Sequence, residues 1–176
     1  MAIPEPRCPI PASARSLVLT GFMGTGKSTI GRRVSALTGR PFVDTDDEIV
    51  RRAGKSIPAI FREDGEAAFR AHEQRVCRAL ARVPGLVIAT GGGMLVNAES
   101  RALMTKAGLV VCLEAAPEVI EARLRANADR PLAANWRELL AARQAAYAEI
   151  PLHVDTGSRS VDEIAEELIE LWRVFL

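Results

Sequence analysis

Apolar residues along the chain fall into short continuous runs, separated by stretches in which they recur at three- and four-residue spacing. That alternation of two periods predicts strands and helices in turn. Ser16-Leu-Val-Leu-Thr20 is an apolar run ending in a glycine-rich turn, and Lys27 to Leu37 carries apolar positions at helical spacing, so strand, loop and helix are predicted in that order. Gly39 supplies a helix stop, Pro41-Phe-Val43 a second strand, and the acidic cluster Asp44-Thr-Asp-Asp47 opens the next helix. Leu86-Val-Ile-Ala89, which runs into Gly91-Gly-Gly93, and Leu109-Val-Val-Cys-Leu113 read as buried strands, with Leu152-His-Val154 a weaker fifth. Helical patterns cover Glu66 to Ala81, Ala98 to Ala107, Pro117 to Arg125, Trp136 to Glu149 and Val161 to Leu171, and Ser160 with Glu163 has capping-box spacing before the last of them.

Strands that are apolar throughout are buried on both faces. The predicted fold class is therefore α/β, a parallel sheet with helices on both sides, whose ligands bind beyond the carboxyl ends of the strands. Candidate chemistry is expected just after each strand. Residues 1–15 carry four prolines and no apolar stretch of signal-peptide type, so they read as a flexible extension before a single domain over 16–176. The stretch Ala126 to Ala134 lacks core periodicity and reads as either an ordinary connection or a mobile flap.

Composition narrows the class. A chain of 176 residues with 48% hydrophobic residues builds one proper core, and a formal net charge of +1 with 26% charged residues excludes both a disordered chain and a strongly basic nucleic-acid binder. No apolar run approaches the ~20 residues that span a bilayer. Cys8, Cys77 and Cys112 are odd in number and lack metal-ligand spacing, and the latter two sit in apolar segments where a reduced thiol packs as a small hydrophobe. A reducing cytoplasm is expected. His72 and His153 have no metal partners in the sequence and read as surface or packing residues.

Gly21-Phe-Met-Gly-Thr-Gly26-Lys27-Ser28 fits the phosphate-binding P-loop pattern and lies between a strand and a helix, the context that pattern requires. Glycines let the backbone curl its N–H groups toward phosphate oxygens, and the helix N-terminus adds partial positive charge. Lys27 reaches the β- and γ-phosphates and the Ser28 hydroxyl suits Mg²⁺. Asp44 and Asp46, alternating at a strand end, are expected to send both carboxylates into one cleft; helix capping is the alternative reading. Phosphoryl transfer uses one carboxylate near the metal and another near the attacking hydroxyl. Arg70 and Glu73, one helical turn apart, read locally as a solvated ion pair. Gly91-Gly-Gly93 permits close backbone approach to a ligand.

Gly21 to Ser28, Asp44-Thr-Asp46, Phe69-Arg70 with Glu73, Gly91-Gly-Gly93, Arg130-Pro-Leu132, and Arg143 four residues before Tyr147 resemble, in this order, the shikimate kinase family over roughly Leu17 to Leu171. The resemblance implies a nucleoside-monophosphate-kinase-like three-layer fold, with a five-stranded parallel sheet, a substrate-binding helical region and a lid at about 124–135 that closes over ATP. It implies transfer of phosphate from ATP to shikimate. Gly24, Thr25, Gly26, Lys27, Ser28 and Thr29 would hold the nucleotide phosphates, and Ser28 and Asp44 the Mg²⁺. Asp46 would bind the substrate hydroxyls and act as general base. Arg70 and Arg143 would clamp the substrate carboxylate, with Glu73 orienting Arg70, and Gly92 and Gly93 would offer backbone. Arg130 would be the lid arginine, while Arg123 and Arg159 would flank the adenine. The connection from Leu132 to Arg143 is shorter than is usual in the family. A gluconate kinase or an ATP-binding regulatory protein are the alternatives. Arg70 with the aspartate pair favours shikimate, and no Asn-Lys-x-Asp sequence follows the P-loop. A cytoplasmic monomer without nucleic-acid or membrane partners is expected.

Overall fold

Each apolar strand divides its side chains between two cores, and this division builds the three layers. The computed structural model describes residues 10–11, 14–126 and 135–176. Strands β1 (Ser16–Thr20), β2 (Phe42–Asp44), β3 (Val87–Ala89), β4 (Gly108–Glu114) and β5 (Leu152–Asp155) form one sheet in the order β2-β3-β1-β4-β5. Every neighbouring pair is parallel. Leu17, Leu19, Val87, Val111 and Val154 point to one face, where helices α1 (Lys27–Thr38) and α8 (Val161–Phe175) bring Ile30, Val34, Leu168 and Trp172. Val18, Ile88, Val110 and Cys112 point to the other, under Phe22, Phe69, Val76, Met94, Trp136 and Tyr147. The remaining helices are α2 (Thr45–Ala53), α3 (Ile57–Glu63), α4 (Gly65–Leu80), α5 (Ala98–Ala107), α6 (Pro117–Ala126) and α7 (Trp136–Ala148), with a 3₁₀ turn at Met94–Val96.

The capping box before α8 forms as the spacing predicts. The Ser160 hydroxyl accepts from the Glu163 amide at 3.2 Å, and the Glu163 carboxylate accepts from the Ser160 amide at 2.8 Å. α8 runs past the predicted Leu171 because Trp172 is buried and donates its indole N–H to the Arg15 carbonyl at 2.7 Å. α3 has no counterpart in the periodicity. It buries Ile60 but begins from a local signal, the Ser56 hydroxyl accepting from Ala59 N at 3.3 Å. At the described positions of the N-terminal extension, Ile10 and Ala14 are buried in the α1–α8 core. Among the described residues, no helix is long and apolar enough to cross a membrane.

Candidate active site

The phosphate loop is set by where β1 stops. After Thr20 the chain turns at Gly21, whose φ of 128° excludes most side chains and where a Cβ would overlap the Leu113 carbonyl oxygen. Gly26, also left-handed, then launches α1 at Lys27. The loop closes on itself through the Thr25 hydroxyl, which donates to the Phe22 carbonyl at 2.8 Å. Lys27 is buried, and its Nζ donates to the carbonyls of Gly21 and Phe22 at 2.8 and 2.7 Å. The ammonium thus rests inside the mouth of the loop, next to the amides a phosphate would meet. Thr29 is exposed on the first turn of α1.

Asp44 and Asp46 take different partners. α2 begins at Thr45, so the strand period ends between them. Asp44 is a helix cap that also reaches α1: one carboxylate oxygen accepts from Asp46 N at 3.0 Å and the other from the Ser28 hydroxyl at 2.6 Å. Asp46, in the first turn of α2, lies against the glycine loop, where a Cβ at Gly91 would overlap its carboxylate oxygen. Its charge also reaches Glu73. Thr45 between them is buried and accepts from Gly91 N at 2.8 Å, which locks α2 to the loop after β3.

The third group of residues comes from α4, α7 and the glycine loop. Arg70 donates to Glu73 at 2.7 Å and to Glu66 at 2.9 Å. Glu73 is only 4% exposed, so the pair is not the solvated contact that its spacing alone predicts. Burial pushes the Glu73 carboxyl above its ordinary value against the opposing pull of Arg70, and the negative charge of Asp46 adds to the rise. A Cβ built on Gly93 would lie 2.6 Å from Arg70 Nη1 and 3.5 Å from Arg143 Nη2. The two guanidiniums therefore converge on one point, although they come from different helices, α4 and α7. They border a cleft of about 280 Å³, whose wall continues through Gln74, Asn97 and Ser100. Arg143 lies over the Phe22 ring, 5.7 Å from its centroid, so the phosphate loop itself supports the far arginine.

Arg123 donates to the Gly24 carbonyl at 3.2 Å and to the Thr156 hydroxyl at 3.0 Å, which joins the phosphate loop to the turn after β5. Arg159 lies further along that turn and is exposed; its partners, Glu167 and the Glu163 carbonyl, are on α8. Arg130 and most of the expected lid, 127–134, lie outside the described residues. Several contributors receive no role from the sequence reading. Tyr147 donates to the Gly92 carbonyl at 2.6 Å, and burial pushes its phenol up to about 12, so it acts as a neutral strut beneath the glycine loop. Thr156 donates its hydroxyl to the Thr25 carbonyl at 3.0 Å. Phe22 occupies a variable position of the P-loop pattern. For Thr45 and Thr156 the available signal is place alone, a hydroxyl directly after a strand.

A sequence model of the family described as shikimate kinase matches residues 23–173. A shikimate kinase of Desulforudis audaxviator is 46% identical over 161 residues, covering 89% of this chain and 85% of the relative. A solved shikimate kinase of Acinetobacter baumannii in complex with shikimate superposes with a TM-score of 0.85 at 34% identity, covering 93% of this chain and 95% of that one. A gluconokinase of Sinorhizobium meliloti shares the fold, with a TM-score of 0.60 at 17% identity. The family match spans the phosphate loop from Met23 onward, the aspartate pair, both converging arginines and the glycine loop between them: the chain belongs to the shikimate kinase family.

Proposed function

We propose that the protein transfers the γ-phosphoryl group of ATP to the 3-hydroxyl of shikimate, giving shikimate 3-phosphate and ADP. The observation that carries this reading is the convergence of Arg70 and Arg143 on Gly93. Two planar guanidiniums aimed at one point suit a carboxylate, the single anionic end of a small polyol acid. With that end fixed, the ring hydroxyls extend toward Asp46 and the phosphate loop. Asp46 takes the proton of the attacking hydroxyl as the new O–P bond forms and the bond from the γ-phosphorus to the bridging oxygen of ADP breaks. Lys27 exchanges its two carbonyl partners for phosphate oxygens, and Gly24, Thr25, Gly26, Ser28 and Thr29 line the same loop. The Ser28 hydroxyl and Asp44 carboxylate, hard oxygen donors 2.6 Å apart, fit Mg²⁺, which when bound neutralises phosphate charge.

Glu73 orients Arg70, Gly92 and Gly93 offer backbone to the substrate, and Arg123 and Arg159 border the adenine. On the family resemblance, Arg130 in the expected lid at about 124–135 would reach the transferring phosphate, and closure of that lid would exclude water that could otherwise accept it. The protein works as a cytoplasmic monomer of one kinase domain over 16–176. A coupled assay of ADP release over shikimate, quinate, gluconate and nucleoside monophosphates tests the reading. Release that depends on shikimate, with little on the other acceptors, is expected. Release independent of acceptor, or a preference for gluconate, overturns it.

A further inference from the structure

Cys112, Glu114 and His153 are separated in sequence, and nothing in their spacing links them. The sheet brings them together. Cys112 pairs with His153 across the β4–β5 ladder, and Glu114, two residues on, shares the face of Cys112. Their Sγ, carboxylate oxygen and ring nitrogen all lie within 4.8 Å of one another. None of the three belongs to the phosphate loop, the aspartate pair or the arginine cleft.

The histidine is held as a ligand would be. One ring nitrogen, Nε2, is 2.7 Å from the Ile150 carbonyl, which can only accept; this contact places a proton on Nε2 and directs Nδ1 at the other two groups. Nδ1 in turn is 2.7 Å from the Glu114 carboxylate, so the imidazole, the carboxylate and the buried Cys112 sulfur face one small volume.

We propose that Cys112, Glu114 and His153 bind one thiophilic divalent cation of the Zn²⁺ class, a site separate from that for Mg²⁺. Sulfur, imidazole nitrogen and carboxylate oxygen form a mixed set that Zn²⁺ and Co²⁺ accept and that Mg²⁺ and Ca²⁺ do not. Tetrahedral bonds of about 2.0–2.3 Å put such ligands roughly 3.3–3.6 Å apart, which small side-chain rotations reach from the present spacing. Cys112 forms the buried floor, while the Glu114 and His153 side chains are 54% and 31% exposed, so the ion enters from solvent and keeps water as its fourth ligand. The Cys112 thiol proton leaves to solvent as the sulfur binds. The site also touches the nucleotide side: the Glu114 carbonyl accepts from the Thr156 amide at 2.8 Å, and the Thr156 hydroxyl donates to Thr25 in the phosphate loop.

The test is a Co²⁺ titration of the full-length, reduced protein without nucleotide, followed by the thiolate-to-cobalt charge-transfer band. One equivalent is expected, displaced by Zn²⁺ and not by excess Mg²⁺. Cys112→Ser should abolish the band. His153→Gln and Glu114→Gln, at partly exposed side chains, should weaken binding by at least about 10- to 100-fold, the loss that follows even from removing an outer-shell partner. Cys8→Ser and Cys77→Ala should leave binding intact. Should Cys112→Ser fail to fold, His153→Gln and Glu114→Gln decide. A wild type with no thiolate band at saturating Co²⁺ overturns the site and leaves His153 and Glu114 as a simple ion pair. A Co²⁺ affinity left unchanged by His153→Gln, or a band that vanishes with Cys8→Ser, overturns it equally.

Discussion

Gly93→Ala separates the arginine cleft from the fold that carries it. Gly93 has φ −96° and ψ −17°, an ordinary right-handed conformation, so alanine needs no backbone change. Reduced freedom of the unfolded chain even favours the variant by about 0.4–1 kcal/mol. The new methyl group would sit 2.6 Å from Arg70 Nη1, whereas comfortable non-bonded contact begins at roughly 3.5 Å. The guanidinium must withdraw by about 0.9 Å, the difference between those two values. A withdrawal directed away from Glu73 takes the 2.7 Å bond between them beyond hydrogen-bond range. A bond involving charged groups contributes about 1.5–3 kcal/mol. Because Arg70 is 39% exposed, the lower part of that range applies, about 1.5–2 kcal/mol, or roughly 10- to 30-fold. The expected result is a rise of that size in the KM for shikimate, with kcat and ATP affinity nearly unchanged and Tm lowered by at most a few degrees. Initial rates with shikimate and ATP varied in turn, and a thermal melt, measure all four. In an Arg70→Ala background the alanine should add little, since its route of action is gone. An unchanged KM, or full additivity in the double variant, would refute the reasoning.

Asp46→Asn should lower kcat by about 10²- to 10⁴-fold, the usual contribution of a general base, while ADP affinity stays the same; a collapse in ADP affinity would assign Asp46 to the phosphate side instead. Tyr147→Phe leaves the Gly92 carbonyl without its buried donor and should cost about 1–3 kcal/mol in urea unfolding, with a higher KM for shikimate. An unchanged midpoint would remove Tyr147 from the support of the glycine loop. Burial of Glu73 raises its carboxyl pKa in the folded chain, so the native state binds a proton that the unfolded chain has already released. Stability conferred by that proton is present at low pH and falls as pH rises from about 4.5 toward the higher folded value. Glu73→Gln should flatten that slope in urea titrations across the same window, and a slope that persists would trace to another group.

Local patterns reached far into this protein. The five strands, the phosphate loop and the α8 cap follow from runs, glycines and a Ser-Glu spacing, signals that act over a few residues and are complete within them. α3 was not legible because a seven-residue helix with one buried side chain has no period to read. The aspartates stood out as candidates, but their separate partners did not: α2 begins at Thr45, Asp46 packs on the glycine loop and Asp44 accepts from Ser28. The family resemblance supplied roles for Arg70 and Arg143 that their own surroundings in sequence did not.

What the sequence determined by itself is the alternation of strand and helix and the phosphate loop at the first junction, because hydrophobic period and turn chemistry are local. Only the tertiary structure decided which distant groups share a space. Order β2-β3-β1-β4-β5 carries the glycine loop of β3 between α2 and α7, and so brings Asp46, Arg70 and Arg143 around it. The same sheet sets Cys112 beside His153, two residues that looked inert when taken singly. Proximity in a parallel sheet comes from crossover connections and register, which no short window of sequence contains. Burial follows from proximity, and it turns Arg70 and Glu73 from an ordinary helical pair into the wall of a cleft.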